Sequence, residues 1–421
     1  MSAHGDQIKS VLGISALVSF YGIASLAVVF LGPSIGLTYV WEIVIIALLL
    51  LTWPFAILIN HWRKRRAAKR EAAEAVAQET GGAQPAPVKG GGAPKRIHEE
   101  LARGAEEAVQ WLRSTRLAGA KSSDALYALP WYIVAGPSSS GKTSLVLSSG
   151  LDFHALPSQR RAEMKIVRPT HHCDWRVTDS AVLLDTAGRY QGDGPARDEW
   201  VALTETVKKH RNHRALDGFL VAVNAARILQ SSETEIEQQA KTLRARLDET
   251  MQLARVRFPV YLVFTNMDAL SGFEEFFKDR KDAAEVWGAT IPLNKSANAH
   301  ALFDLEFDQL YESLVRRRLL RLGISVTPAT QLKIFDFPVR FSETRAKLGL
   351  FTSALFRPNP FSESPLLRGF YFTANVTAGA PAGATTGDGG ERAPQAVGTG
   401  FFTDRFFKEV VLRDQNLAAS F

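Results

Sequence analysis

The stretch Trp131-Tyr-Ile-Val-Ala-Gly-Pro-Ser-Ser-Ser-Gly-Lys-Thr143 decides the fold of this protein. Its first five residues are apolar or aromatic and predict a buried strand, and residues 142–149 predict a helix. Between them stands the spacing G-x4-G-K-T. Glycines at these places let backbone N–H groups wrap a phosphate, and the helix N-terminus adds a partial positive charge. The stretch therefore predicts a phosphate-binding loop between a strand and a helix.

This spacing is that of the P-loop of nucleotide-binding proteins, and it gives roles to the polar residues. We expect Lys142 to pair with the β- and γ-phosphates and the Thr143 hydroxyl to bind Mg²⁺, so the predicted cofactor is Mg²⁺ with ATP or GTP. The nucleotide-binding residues predicted from the loop are Gly136, Ser138, Ser139, Ser140, Gly141, Lys142, Thr143 and Ser144. A Gly/Ser-rich segment can also be a plain linker, but the strand before it and the helix after it favour the P-loop.

A carboxylate at the end of a second apolar run completes the predicted magnesium site. Asp185 follows four apolar residues, 43 positions after Lys142, and Gly188 follows three residues later. An acid at this place holds Mg²⁺ through water, and the Gly188 N–H is placed to bind the γ-phosphate. The predicted catalytic residues are Lys142 and Asp185. The predicted metal ligands are Thr143, Asp185 and Thr170, the last as a threonine that senses the γ-phosphate.

The base specificity is left open by the sequence. The tetrad Thr265-Asn-Met-Asp268 is similar to the one in GTPases whose aspartate binds guanine, so Asp268 is a predicted nucleotide-binding residue. The usual lysine of the tetrad is Asn266 here, which leaves ATP and GTP as alternatives, and a simple polar turn is a further alternative. The dipeptide Ser296-Ala297 is a weak match to a third base-contacting loop.

Hydrolysis is expected to be slow. Arg189 stands directly after Asp185-Thr-Ala-Gly188, where Ras-like enzymes carry a water-orienting glutamine. Without that glutamine, turnover depends on a group from a partner. The run His171-His-Cys-Asp174 suggests metal ligands, but adjacent residues point in different directions and the sequence has no second such cluster.

Apolar runs alternate with helical patterns over residues 131–320, which predicts an α/β fold with a parallel sheet. We expect a small-GTPase-like P-loop NTPase domain, followed by a mixed or helical extension. Residues 97–113 and 401–417 predict amphipathic helices, and residues 332–341 predict a further strand, with Pro338 marking an edge or a break.

Two apolar segments near the N-terminus predict a transmembrane hairpin. Residues 11–31 and 43–59 are each close to the length that crosses a bilayer, and Gly32-Pro33 begins the turn between them. The Arg- and Lys-rich segment 63–70 indicates a cytoplasmic flank, so the N-terminus and the NTPase-like domain are both predicted to be cytoplasmic.

The charge of the chain follows from this hairpin. The net charge is +7, and residues 1–70 contribute +5 of it, with seven Lys and Arg against two Asp and Glu. The remaining residues are nearly neutral, which argues against nucleic acid as a partner. The single cysteine, Cys173, excludes an internal disulfide framework and a four-cysteine zinc site.

The sequence thus divides into four predicted segments. They are a transmembrane hairpin (1–62), a basic juxtamembrane segment with a flexible linker (63–95), a P-loop NTPase-like cytoplasmic domain (96–325) and a cytoplasmic extension (326–421) with a disordered loop at 376–400.

Several motifs carry a resemblance to a known family. They are His172-Cys-Asp-Trp175, Leu184-Asp-Thr-Ala-Gly-Arg-Tyr190, Leu367-Arg-Gly-Phe-Tyr-Phe-Thr373, Phe406-Phe-Lys-Glu-Val410 and Asn416-Leu-Ala418. Together with the hairpin and the P-loop, they resemble the IcmF/TssM family, the inner-membrane core component of type VI secretion systems. Members of this family continue into a third span and a periplasmic region, so we expect a truncated or a shortened member.

The resemblance implies a function and partners. It implies a multi-pass protein of the bacterial inner membrane whose cytoplasmic nucleotide-binding domain acts as an assembly or conformational switch. It also implies partnership with a DotU/TssL-like inner-membrane protein and other secretion-core subunits, and a homo-oligomer within the complex. The alternative is a structural anchor whose P-loop domain is a catalytically weak scaffold for partner binding.

Overall fold

The computed structural model describes residues 93–115, 124–159, 166–278, 285–323, 327–359, 363–376, 395–396 and 398–420. The chain divides into two units, 1–88 and 89–421, and every described residue belongs to the second. The predicted transmembrane hairpin therefore lies outside the described residues. None of the helices within the described ranges combines the length and the apolar character that a bilayer crossing requires.

The described elements are fourteen strands, nine α-helices and several 3-10 or π-helical segments. The strands are β1 Trp131–Ala135, β2 Phe153–His154, β3 Ile166–Val167, β4 Cys173–Thr178, β5 Val182–Thr186, β6 Gly218–Asn224, β7 Val256–Arg257, β8 Pro259–Thr265, β9 Gly288–Thr290, β10 Leu366–Phe372, β11 Ala374–Val376, β12 Gln395–Ala396, β13 Thr399–Phe401 and β14 Ala419–Ser420. The helices are α1 Ala93–Ser114, α2 Lys142–Leu147, α3 Pro195–His210, α4 Ala225–Gln230, α5 Glu233–Ala254, α6 Phe273–Phe276, α7 Phe303–Leu322, α8 Pro328–Glu343 and α9 Arg345–Phe356.

One eight-stranded sheet forms the centre of this unit. Its order is β2–β4–β5–β1–β6–β8–β10–β9. The five strands from β5 to β10 are parallel, whereas β4 pairs in antiparallel fashion with both β5 and β2, and β9 pairs in antiparallel fashion with β10. The predicted α/β class with a largely parallel sheet is confirmed. Because parallel strands share a direction, the carboxyl ends of β1, β5, β6 and β8 meet at the same edge of the sheet.

Helices cover both faces of this sheet, as the alternation along β1 shows. Trp131 and Ile133 belong to the larger core, which also holds residues of α1, α3, α5, α7, α8 and α9. Tyr132 and Val134 point to the other face, where α2 and a π-helical turn at Phe406–Val411 pack against the sheet. A sheet buried on both faces explains the nearly continuous apolar runs of its central strands.

Helix α1 shows how the apolar spacing positions an element. Leu101, Ala105, Ala108 and Leu112 recur at intervals of three and four residues, and all four are buried. They place one face of α1 against α3 and β4. The helix predicted at 97–113 is therefore present, and it extends to Ala93 and Ser114.

The strand predicted at 332–341 is wrong, because these residues form helix α8. The alternation of apolar and polar residues there fits a strand, but the buried side chains are Ile334, Phe337, Pro338 and Phe341, whose spacing is helical. Pro338 lies inside the helix, where it forfeits a backbone hydrogen bond at a cost of about 3 kcal/mol. The burial of three large side chains offsets that cost.

Two expectations near the C-terminus also change. Residues 401–417 form a strand end, a π-helical turn and a 3-10 turn at Leu412–Asp414 rather than one amphipathic helix. Within the predicted disordered loop, β12 pairs with β3 and β13 pairs with β11. The remaining loop residues, 377–394 and 397, lie outside the described part of the chain.

Strand β10 is the largest addition to the predicted sheet. It comes from the segment 326–421, yet it lies between β8 and β9 in the central sheet. Residues of β10 pair with Pro259 through Phe264 of β8 in parallel register. This segment therefore helps to build the sheet edge at which the candidate site lies.

Candidate functional site

The glycine-rich loop 136–141 joins β1 to α2 at the carboxyl edge of the sheet. Gly141 adopts the left-handed conformation, with φ of 77°, immediately before α2. At Gly136 a Cβ atom would lie 2.0 Å from the backbone oxygen of Ala222 on β6. Both positions therefore require glycine, the first for its backbone angle and the second for its close approach.

The carbonyl groups of this loop are held by the ends of neighbouring elements. The Thr265 hydroxyl at the end of β8 donates to the Ser140 oxygen at 2.7 Å. Asn224 Nδ2 at the end of β6 donates to the Ser139 oxygen at 3.3 Å. The loop is thus fixed by the two strands that follow β1 in the sheet.

Lys142 is directed into its own loop. Its amine donates to the backbone oxygens of Gly136 and Pro137, at 2.9 and 2.8 Å. Only 6% of the side chain surface is exposed. Burial lowers the pKa of Lys142 to about 8, and the negative charge of Asp185 opposes this shift. A phosphate at this loop would compete with the two carbonyls for the amine.

Asp185 is a fully buried carboxylate at the edge of β5. Neither of its oxygens has a hydrogen-bond partner among the described residues. Its pKa is raised to about 6, chiefly by burial and also by the charge of Asp174, while Arg176 and Lys142 oppose the shift. The Thr143 hydroxyl also lowers the pKa, but it does not meet hydrogen-bond geometry with either oxygen.

The three predicted metal ligands lie close together. The hydroxyl oxygens of Thr143 and Thr170 are 3.4 Å apart, and Thr143 affects the pKa of Asp185. No group of three or more His, Cys, Asp or Glu side chains in the described ranges could hold a metal. A cation here would thus rely on hydroxyl, phosphate and water oxygens besides carboxylate, which is the set that Mg²⁺ accepts. The unpartnered oxygens of Asp185 fit such a cation.

Gly188 brings the turn after β5 against the glycine-rich loop. A Cβ atom on Gly188 would lie 2.4 Å from both Cα and N of Ser138. The N–H of the preceding residue, Ala187, donates to the His172 oxygen at 2.8 Å. The turn therefore contacts both the loop and the segment that carries Thr170.

Arg189, which stands where Ras-like enzymes carry a glutamine, is held by contacts with other side chains. Its guanidinium donates to Glu199 of α3 and lies 2.7 Å from Nδ1 of His172. Nε2 of His172 lies 3.3 Å from the carboxylate of Glu100 on α1. These four side chains join the turn after β5 to two helices.

Asp268 lies beside a segment outside the nucleotide-binding residues predicted from the sequence. Its Oδ1 accepts a hydrogen bond from the backbone N–H of Asn375 at 3.4 Å, and burial raises the pKa of Asp268. Thr373 accepts from the N–H of Met267. Both residues follow β10, the neighbour of β8. The signal for this contact in the sequence is an apolar strand followed by Thr-Ala-Asn.

The predicted base-contacting dipeptide Ser296-Ala297 follows β9, which is not next to β8 in the sheet. Ser296 and Ala297 belong to a 3-10 segment, Leu293–Leu302, and their side chains are outside what the structure describes. The strand that precedes them, β9, is the antiparallel edge strand. The segment that adjoins the tetrad is therefore 373–375, at the start of β11, since β10 and not β9 is next to β8.

Two comparisons with known proteins bear on the family. Residues 194–420 match the family model of the IcmF-related N-terminal domain. The chain is also 36% identical, over 333 residues, to the type VI secretion system component TssM1 of Pseudomonas aeruginosa. That alignment covers 75% of this chain and 30% of the relative, so the chain spans less than a third of the relative's length.

A partial match to a solved structure, that of SsGBP in complex with GDP, was also found. It shares 16% sequence identity, and the alignment covers 43% of this chain and 54% of that chain. The TM-score is 0.22, a similarity too low to indicate a shared fold.

Proposed function

We propose that this chain, which belongs to the IcmF/TssM family, is a type VI secretion component whose glycine-rich site binds Mg²⁺ and a nucleotide and works as a switch. The sequence motif G-x4-G-K-T and the parallel strands around it support a P-loop NTPase fold. The name of the relative from Pseudomonas aeruginosa supports the assignment to a secretion system.

The observation that carries this proposal is the carboxylate of Asp185, which has no hydrogen-bond partner in the part of the chain that the structure describes. A buried carboxylate without hydrogen bonds destabilises a folded protein unless a cation or a donor compensates it. Lys142 lies near enough to lower the pKa of Asp185, yet its amine donates to backbone oxygens instead. This arrangement suits a ligand that carries a cation to Asp185 and accepts hydrogen bonds from the Lys142 amine.

Different residues of the site would bind the phosphates and the metal ion. Lys142 and the backbone N–H groups of the loop would hold the phosphates, and Thr143, Thr170 and Asp185 would hold Mg²⁺. When bound, the ion neutralises charge on the phosphate oxygens. Thr265 and Asn224 keep the loop in place, so that little rearrangement beyond Lys142 is needed.

The contacts of residues 170–189 supply a route for a switch. Thr170 lies against Thr143, and His172 accepts from the turn that carries Gly188. A γ-phosphate that orders Thr170 and Gly188 would therefore move or fix His172. His172 contacts Glu100 of α1, and α1 begins where the predicted linker from the membrane ends. Nucleotide state could thus be passed to the membrane-proximal part of the chain.

Hydrolysis is a slower and secondary activity in this proposal. Arg189 is engaged by Glu199 and His172 and cannot orient water as a glutamine does. A partner would have to supply the missing group. The alternative function, a scaffold that binds partners without nucleotide, is favoured by the closed position of the Lys142 amine.

Membrane anchoring and partners complete the proposal. We place the two predicted spans within 1–62 in the bacterial inner membrane, with the described unit in the cytoplasm. A DotU/TssL-like protein and other core subunits are the proposed partners, and the chain is proposed to form a homo-oligomer in the complex. The family membership supports these assignments.

The test is the affinity of the full 421-residue chain for fluorescent ATP and GTP analogues with Mg²⁺. Lys142→Ala should weaken binding at least about thirtyfold, because a charged phosphate contact is lost. The matched control is Lys241→Ala on α5, whose amine is exposed and pairs with Glu237. That variant should bind as the unaltered chain does.

A folded chain that binds neither nucleotide would overturn the proposal and favour the scaffold. The switch itself is tested by amide hydrogen exchange of α1 with and without Mg²⁺-nucleotide. Exchange that is the same in both states, with nucleotide bound, would show that α1 does not receive the signal.

A further inference from the structure

We propose that Asp174 is the second carboxylate of the cation site and that Arg176 positions it. This inference rests on the proposed function, since it concerns how tightly the site holds Mg²⁺ beside a nucleotide. In the sequence, Asp174 ends the run His171-His-Cys-Asp174, which by itself gave no metal site, and it also belongs to a family motif.

The sheet register places Asp174 beside Asp185. The two residues are directly paired across the antiparallel strands β4 and β5. Side chains of paired residues lie on the same face of a sheet, with Cβ atoms about 4.5–5.5 Å apart. The face they share carries α2, which begins with Lys142 and Thr143. Asp174 therefore faces the same space as the predicted metal ligands.

Arg176 fixes the Asp174 carboxylate from the same strand. It stands two residues later and thus on the same face. Its Nη2 donates to Oδ2 of Asp174 at 3.0 Å. The Arg176 side chain is 3% exposed and that of Asp174 is 22% exposed. The contact occupies one carboxylate oxygen, and it orients the group without closing the site to solvent.

Two carboxylates meet at the site beside two cationic side chains, Arg176 and Lys142, and Lys142 donates to backbone oxygens instead of to Asp185. Asp174 and Asp185 repel each other, and Asp185 has no hydrogen-bond partner in the described ranges to relieve that repulsion. Mg²⁺ in nucleotide sites is held by one or two carboxylates, substrate phosphates and several waters. A second carboxylate next to Asp185 would strengthen this hold directly or through a water.

The alternative is that Asp174 serves Arg176 alone, as a structural ion pair. In that case its removal would lower the stability of the chain but leave the metal dependence of nucleotide binding unchanged. The metal dependence therefore separates the two roles, whereas stability does not.

The experiment measures nucleotide affinity of the full chain in EDTA and at rising Mg²⁺, with Mn²⁺ as a second probe. Asp174→Asn should bind nucleotide in EDTA no more weakly than the unaltered chain, because the substitution removes a negative charge beside the proposed phosphate site. Its apparent affinity for Mg²⁺ should fall by about tenfold or more, the range found when groups that support a metal site are lost. The control is Asp179→Asn, an exposed carboxylate in the turn after β4 that pairs with His154; its Mg²⁺ dependence should not change.

The outcomes distinguish this inference from the proposed function. Nucleotide binding with the same Mg²⁺ dependence in Asp174→Asn would overturn the role of Asp174 and leave the nucleotide site intact. No nucleotide binding by the unaltered chain would overturn both. If Asp174→Asn fails to fold, Asp174→Glu keeps the charge but displaces it by one methylene. That variant should lose several-fold in Mg²⁺ affinity, and an unchanged value would overturn the inference.

Discussion

The Glu100 carboxylate lies 3.3 Å from Nε2 of His172. The contact joins helix α1 to the segment that carries Thr170. A second contact holds the same helix, since Gly104 of α1 packs so closely on the Trp175 indole that a Cβ there would lie 2.6 Å from Cδ1. Helix α1 is therefore in direct contact with strand β4 and with the segment that carries Thr170.

The Glu100–His172 contact should be measurable as a coupling energy. In a double-mutant cycle with Glu100→Gln and His172→Ala, we expect about 0.5 kcal/mol in the free energy of unfolding, because the pair is partly exposed. Urea denaturation gives the four values. Glu99→Gln, an exposed neighbour on α1, should not couple to His172→Ala. Equal coupling for both glutamates would mean that the contact is not specific.

Gly188→Ala should disturb the glycine-rich loop. The new methyl group would overlap the backbone of Ser138, so the loop must move, and we expect nucleotide affinity to fall about tenfold or more. The matched control is Gly192→Ala, where the nearest atom to a new Cβ is 3.3 Å away. The control should bind normally in a fluorescence titration. Normal binding by Gly188→Ala would show that the loop tolerates displacement.

Asp185→Asn should stabilise the ligand-free chain at neutral pH. Burial raises the pKa of Asp185 from 3.8 to about 6, with Asp174 as the second cause. The folded state therefore holds the proton more tightly, and this stabilising effect is full below about pH 4 and lost as the pH rises through about 6. Asparagine does not titrate, so the Asp185→Asn variant lacks this pH-dependent stabilisation. Between pH 4 and pH 7, the unaltered chain should thus lose about 2–3 kcal/mol in free energy of unfolding relative to Asp185→Asn.

The measurement for this variant is urea denaturation in EDTA across that pH range. The same variant should lose the Mg²⁺ dependence of nucleotide binding. A difference that stays constant with pH would contradict the assigned environment of Asp185, since only its titration predicts the slope.

Asp414→Ala should destabilise the unit through the C-terminal segment. Asp414 accepts from Arg368 of β10 at 2.6 Å and from the Tyr261 hydroxyl of β8 at 3.1 Å, and both charged side chains are mostly buried. Loss of one partner leaves the guanidinium unpaired, so we expect a cost of about 2 kcal/mol or more. Glu409→Ala, whose pair with Arg405 is about half exposed, should cost less than about 0.5 kcal/mol. Thermal unfolding compares the two.

Local patterns predicted the strands and the loop at the centre of the molecule. The apolar runs ending at Ala135, Asp185 and Thr265 are sheet strands, and the predicted ligands Thr143 and Thr170 lie together although 27 residues separate them. The strand prediction for 332–341 was wrong, because a short alternation of apolar and polar residues fits a strand and a helix equally. Only the packing of Phe337 and Phe341 against the core decides between them.

The prediction of a base-contacting loop shows a different limit. Ser296-Ala297 matched by order along the chain, whereas the structure places Thr373 and Asn375 beside the tetrad. The order of strands in a sheet depends on long-range pairing, which no local window records. A strand 100 residues beyond β8 lies next to it because its apolar residues pair and pack there.

The sequence by itself determined the parallel α/β class, the glycine-rich loop and the residue types of the site, since these depend on periodicity and on backbone angles that only glycine adopts freely. Tertiary structure alone decided which carboxylates meet. Asp174 faces Asp185 through the register of β4 on β5, and Glu100 reaches His172 through the packing of α1 on β4. Such contacts follow from the burial of surfaces distant in sequence, which is a property of the whole fold.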